Sequence, residues 1–218
     1  MKELRILIAD DHDLMRRGLK ALIGMHPGWQ VCDEAQTGRE AVATAEQTRP
    51  DIVILDISMP ELNGIEAAKM IRKVSPKTEI LILSLHYTDQ LIREIVDAGA
   101  HGYIVKSDPE CDFLKALEKL ANHRPFFTSK AAQAMLAGFD QSEFRSRSRG
   151  PAGGRLTARE REIVQLLSEG RSSKEVASYL GISVKTTESH RANIMRKLDI
   201  HTVSELVRYA VRNQIIEA

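Results

Sequence analysis

DIVILDISMPELNG, residues 51–64, is a short apolar run that ends on a carboxylate, Asp56, and gives way to a loop carrying Pro60 and Gly64. Four runs of the same kind lie around it: LRILIAD (4–10), WQVCDEA (29–35), EILILS (79–84) and GYIVK (102–106). The segments between and after them place apolar residues at helical spacing. These are Leu14, Leu19, Leu22 and Ile23; Ala41, Ala45 and Thr48; Ile65, Ala68, Ile71 and Val74; Leu91, Ile95 and Ala98; Phe113, Leu114, Leu117 and Leu120. Strands alternating with helices predict an α/β fold, a (βα)5 doubly wound parallel sheet over residues 1–122. Its ligand site is expected at the carboxyl ends of the strands.

Polar residues at those ends are therefore the candidates. Strand one ends in Asp10-Asp11, strand three in Asp56, strand four in Ser84 and strand five in Lys106. Three carboxylates at one edge repel one another unless a divalent cation sits among them, and donors that are all oxygen suit Mg2+. The hydroxyl and the ammonium complete a pocket for a tetrahedral anion. Together these are the parts that phosphoryl transfer to an aspartate requires, because its catalysis is mostly positioning and charge neutralisation. Singly each residue has a plainer reading, Asp10 and Asp11 as caps of the next helix and Lys106 as a loop charge. The joint set is what points to chemistry.

Asp10-Asp11, DISMPELNG from Asp56 to Gly64, Ser84 and Lys106 resemble a response-regulator receiver domain. The resemblance implies Asp56 as phosphoacceptor, and Asp11, Asp56 and the Ser58 carbonyl as magnesium ligands, with Asp10 acting through a bound water. It further implies Lys106 as the partner of the phosphoryl group, Ser84 as a switch hydroxyl and Tyr103 as the aromatic switch residue. Pro60 and Gly64 are expected to shape the loop, the glycine through backbone angles closed to other residues. Leu85 is larger than the small residue common there, which narrows access to the pocket for water or a phosphodonor.

The remaining sequence has a different character. Residues 1–122 hold 15 Lys+Arg against 20 Asp+Glu, a net −5; 123–151 hold 5 against 2, and 152–218 hold 11 against 8, each a net +3. An acidic front joined to a basic end suggests two modules, the second suited to nucleic acid. GFDQSEFRSRSRGPAGG (138–154) is too poor in aliphatic residues to bury a core and is expected to be a linker, within a helical extension and linker over 123–154. Beyond it four helical segments are predicted, with breaks at Gly170-Arg171, Gly181-Ile182 and residues 199–201. The second and third are joined by a glycine turn, and Ser183 is placed to cap the third.

The wording LTARE (156–160), KEVASYLGIS (174–183) and VKTTESHRANIMRKL (184–198) resembles the LuxR-type helix-turn-helix domain, over 155–218. Receiver plus this domain is similar to the NarL/FixJ family of two-component response regulators. The resemblance implies binding to double-stranded promoter DNA, a sensor histidine kinase as phosphodonor, RNA polymerase as a partner, and a homodimer on activation. In the third helix Val184, Thr187, Ile194 and Leu198 form the expected inner stripe. Lys185, Thr186, Glu188, Ser189, His190, Arg191 and Arg196 are the candidate DNA contacts, His190 being open to an inward role as well. Thr187 stands where the family usually has valine, so its hydroxyl must find a backbone partner. Val203, Leu206, Val207, Ala210 and Val211 on the last helix are the candidate dimer face.

The composition, 43% hydrophobic and 28% charged over 218 residues, is that of a globular chain. No run approaches the ~18 apolar residues of a membrane span, and the start MKELRILIADD lacks a signal-peptide core, so a cytoplasmic protein without a membrane partner is expected. Cys32 and Cys111 imply neither a disulfide framework nor zinc, and the histidines suggest no metal cluster. A receiver used only as an unphosphorylated partner-sensing module is disfavoured by the complete acidic set. A phosphatase lacks its general acid because position 58 is serine, and a Rossmann protein lacks GxGxxG.

Overall fold

The computed structural model describes residues 3–85, 87–128, 131 and 156–216. The chain divides into two units, Met1–Asp140 and Gln141–Ala218. The predicted linker 138–154 lies outside the described residues, as does most of the predicted helical extension.

The first unit alternates β1 (Leu4–Ala9), α1 (Asp13–Gly24), β2 (Trp29–Ala35), α2 (Gly38–Thr48), β3 (Ile52–Asp56), α3 (Gly64–Val74), β4 (Glu79–Ser84), α4 (Asp89–Asp97), β5 (Gly102–Val105) and α5 (Glu110–Ala121). With a further strand after α5, β6 (Phe126–Phe127), all strands pair in parallel, in the order β2-β1-β3-β4-β5-β6. The apolar runs are continuous because both faces of the sheet are covered. Leu7, Val53, Leu55, Ile80 and Ile82 pack with Ala41, Ile65, Ile71, Leu91 and Ile95 on one side. Ile6, Ile8, Ile52, Ile54, Leu81 and Leu83 pack with Leu19, Ile23, Phe113 and Leu117 on the other.

Two expectations are corrected here. The sheet has a sixth strand, β6 (Phe126–Phe127), paired with β5 through Gly102 and Tyr103, so the first unit continues past residue 122. Two residues are too few for a period to show. In α1 the inward face carries Arg16, Leu19 and Ile23, whereas Leu14 is 84% exposed. The guanidinium of the buried Arg16 finds an acceptor inside, the Asp10 carbonyl at 2.9 Å, and a second at the surface, Asp13 at 3.1 Å.

The second unit comprises α6 (Ala158–Ser168), α7 (Ser173–Leu180), α8 (Val184–Leu198) and α9 (Val203–Arg212). Thr157, Ser172 and Thr202 each form a reciprocal cap with the glutamate three residues on, which fixes where α6, α7 and α9 begin. Gly181, at φ 63°, closes α7 in the left-handed region, and the Ser183 hydroxyl accepts from Thr186 N–H to open α8. Ile163, Val164, Leu166, Val176, Ile194, Leu206, Ala210 and Ile215 build the core.

This core overturns part of the expected dimer face: Leu206 is 1% exposed and Ala210 fully buried, so both serve their own domain. Val203 is exposed and Val207 and Val211 are half-buried. Val184, placed on the inner stripe by its spacing, is instead exposed, because it opens α8 ahead of the turn that packs.

Candidate functional site

The carboxyl edge of the sheet brings the five strand-end residues together. Asp10 and Asp56 are buried, Asp11 is a third exposed, and the Lys106 ammonium lies 2.9 Å from Asp10 Oδ2 and 3.0 Å from Asp56 Oδ1. Lys106 leaves β5 and reaches across β4 to the ends of β3 and β1. Burial pulls its pKa down, but Asp56 and Asp10 outweigh that and hold it above the ordinary lysine value. It stays a cation between two carboxylates. The capping alternative for Asp10 does not hold. Its Oδ1 accepts from His12 N–H at 2.8 Å, and His12, the N-cap residue of α1, makes no side-chain cap.

One ligand atom from each of Asp10, Asp11, His12 and Asp56 falls within 4.8 Å of the others. Three carboxylates against one nearby ammonium leave excess negative charge, a donor set that fits a hard divalent cation. His12 is a member that the sequence reading missed. The histidines form no cluster among themselves in the sequence, and the usable signal is the adjacency of His12 to the Asp10-Asp11 pair. The Asp11 carboxylate, with Asp10 beside it, raises the imidazole above its ordinary pKa even though burial acts in the opposite direction.

Ser84 is buried at the end of β4, and Tyr103 on β5 is fully buried. Burial pushes the Tyr103 phenol up to about 12, against a hydrogen bond with the Ser84 hydroxyl. Leu85, beside Ser84, is 51% exposed. Ser58 lies two residues beyond Asp56 in the loop that leads to α3. Gly64 opens α3, and its role differs from expectation. The positive φ in this loop belongs to Glu61, at 68°, and not to Gly64. Glycine is needed at 64 because a Cβ there would stand 2.0 Å from the Asp56 carbonyl oxygen.

In the second unit Lys185, Thr186, Glu188, Ser189 and Arg196 are exposed on α8, and His190 and Arg191 are half-buried. Thr186 is tied into the cap, its hydroxyl 2.8 Å from that of Ser183. Thr187 is buried, and its hydroxyl donates to the Ser183 carbonyl at 3.3 Å, the backbone partner that the substitution required. Two neighbouring residues of α6 hold the helix pair. Arg159 donates to the Leu180 carbonyl at 3.0 Å, and Glu160 Oε2 accepts from Lys197 at 2.9 Å and from Thr157 N–H at 2.7 Å. The Thr157 N–H, helped by Lys197, keeps the Glu160 carboxyl below the usual range.

Residues 6–118 match the response regulator receiver domain family, and residues 155–210 match the family of bacterial regulatory proteins, luxR family. The chain is a two-component response regulator. The transcriptional regulatory protein MctR of Rhizobium johnstonii is 34% identical, over 98% of this chain and 96% of that protein. LiaR of Bacillus subtilis (strain 168) is 32% identical, over 98% of this chain and 99% of its own. A crystal structure of a LuxR-family two-component response regulator from Aurantimonas sp. SI85-9A1 is similar with a TM-score of 0.60 and 32% identity, covering 64% of this chain and all of that one. This response regulator therefore couples a receiver, the partner of a kinase, to a DNA-binding domain that regulates transcription. Among the described residues, no helix is long and apolar enough to cross a membrane.

Proposed function

We propose that Asp56 is the phosphoacceptor, taking its phosphoryl group from a sensor histidine kinase in the cytoplasm. The observation that carries this reading is the Lys106 ammonium set between Asp56 and Asp10 at 3.0 and 2.9 Å. A carboxylate oxygen of Asp56 forms the new P–O bond as the P–N bond of the donor phosphohistidine breaks, and the imidazole leaves. Lys106 stays cationic throughout and can follow the charge from carboxylate to phosphoryl oxygen. Asp11, Asp56 and the Ser58 carbonyl would hold Mg2+, with Asp10 acting through a water, and the ion would supply charge neutralisation. Water attack on phosphorus later breaks the P–O bond, releasing inorganic phosphate and restoring the carboxylate, and Leu85 beside Ser84 is expected to slow it.

Ser84 transmits the change. Its hydroxyl is hydrogen-bonded with Tyr103 in the unmodified chain, and a phosphoryl dianion would compete for the Ser84 hydroxyl. Tyr103 is already buried, so the exchange releases a hydrogen bond and does not have to fill an empty space with the ring. The two-state element biased in this way is the surface formed by α4 and β5.

On α8, Lys185, Glu188, Ser189 and Arg196 face the DNA, with His190 and Arg191 at the margin and Thr186 contributing from the cap. Replacing Lys185 with alanine is expected to weaken binding to promoter DNA and to lower the slope of log affinity against log salt by ~1. An unchanged slope would show that another face of the helix is used.

Activation pairs two copies on DNA, because one helix reads too few bases, and the pair engages RNA polymerase. The face left for this on α9 is Val203, Val207 and Val211. Sedimentation on promoter DNA, with and without beryllofluoride, tests the whole reading. Dimers are expected only with the phosphoryl mimic. A protein monomeric in both states removes the dimer, and one equally dimeric in both removes phosphorylation as its control.

A further inference from the structure

His12 is the one member of the acidic pocket that phosphoryl transfer to Asp56 does not use. It stands at the N-cap of α1, yet its side chain caps nothing. The ring turns back to the strand ends instead, with Nδ1 2.9 Å from Asp11 Oδ1 and 3.2 Å from Asp10 Oδ1. Its own N–H, bonded to Asp10 Oδ1 at 2.8 Å, fixes the backbone from which the ring projects. The side chain is 58% exposed, with its solvent-facing side open for rotation away from the pocket.

We propose that His12 Nδ1 is a metal ligand of this pocket, which gives it a preference for first-row transition ions that the three carboxylates alone would not create. The inference rests on the reading of Asp10, Asp11 and Asp56 as a divalent-cation site.

Distance and donor chemistry carry it. Ligands ~2.1 Å from a metal stand at most ~4.2 Å apart, and the four donor atoms here already lie within 4.8 Å of one another. Small side-chain rotations close the difference. An imidazole nitrogen is poorly matched to Mg2+, which takes oxygen donors and keeps several waters, but well matched to ions further along the first row. Mg2+ can therefore be held through oxygens with His12 turned outward, and Co2+ through the same carboxylates with His12 turned inward. The two ions compete for one pocket, and His12 sets their relative affinity. The alternative is an imidazole that forms only an ion pair with Asp11 and leaves when any cation enters.

Pulsed electron paramagnetic resonance of Mn2+ bound to the full-length protein separates the two. Coordination predicts 14N modulation from a directly bound imidazole in the parent, and its loss in His12→Ala with Mn2+ still bound. Mn2+ bound without 14N modulation in the parent overturns the proposal. So does modulation that survives in His12→Ala, since another histidine would then be its source. Equilibrium dialysis adds the selectivity. Co2+ affinity should fall about tenfold or more in His12→Ala, whereas Mg2+ affinity, read by competition, should change by less than about threefold. Equal losses for both ions overturn the preference. Asp11→Ala tests the underlying reading separately: it should abolish tight Mn2+ binding altogether, and if it does not, the pocket is not the cation site and both inferences fall.

Discussion

Incubated with acetyl phosphate and Mg2+, the parent protein is expected to gain the mass of one phosphoryl group, and Asp56→Ala to gain none. The expected effect is a complete loss, because no neighbouring group can substitute. Asp10 is buried, but its Oδ1 is held by the His12 N–H, and its Oδ2 faces the same ammonium that serves Asp56. Asp11 is the more exposed carboxylate and lacks the Lys106 contact. Adduct formation should also stop with EDTA, since a dianionic donor must approach a pocket whose net charge is negative without a cation. Intact mass gives the answer directly. An adduct in Asp56→Ala, or one indifferent to EDTA, would sink the assignment.

The second large effect concerns a residue without a side chain. A Cβ at Gly64 would meet the Asp56 carbonyl oxygen at 2.0 Å, its carbon at 2.9 Å and the Ile57 Cα at 3.1 Å, all of them backbone. The Gly64 N–H donates to the Ile57 carbonyl at 2.8 Å, so the start of α3 cannot simply move away. Gly64→Ala should cost about 3 kcal/mol of stability, lowering Tm by roughly 10 °C for a unit of this size. It should also displace Asp56 and slow its phosphorylation. Gly18→Ala is the control, since Gly18 lies within α1 with nothing near the added methyl. It should stabilise the helix by up to about 1 kcal/mol. If Gly64→Ala melts no lower than the parent, the close approach is not a constraint on the fold.

The strands were legible because each is buried on both faces and ends in a polar residue, so apolar run and site residue could be read together. Lys106, Ser84 and Asp56 followed from that alone, since strand ends in a parallel sheet share one edge. Residues whose role depends on partners distant in sequence were not legible. Gly64 looks like a turn glycine until the Asp56 carbonyl is seen against it. Leu14 and Arg16 differ from expectation because a buried acceptor for a guanidinium, the Asp10 carbonyl, leaves no mark on hydrophobic spacing. On α9 the apolar residues were visible, but not which of them the domain would bury, and Leu206 and Ala210 are the buried ones. β6 escaped because its two residues pair only with a β5 that already exists.

The reach of Lys106 across β4 has a consequence for how the protein is made. Its two carboxylate partners come from the first and third strands, and the lysine itself follows the fifth. Contacts between such distant parts of a chain form late, because closing the long intervening loops costs entropy before the contacts return it. On a ribosome the acidic residues emerge first and must wait, mutually repelling, for the cation that follows them. If Asp56 is the phosphoacceptor, a nascent or partly unfolded receiver is expected to stay silent to its kinase until the sheet has brought Lys106 to the two carboxylates.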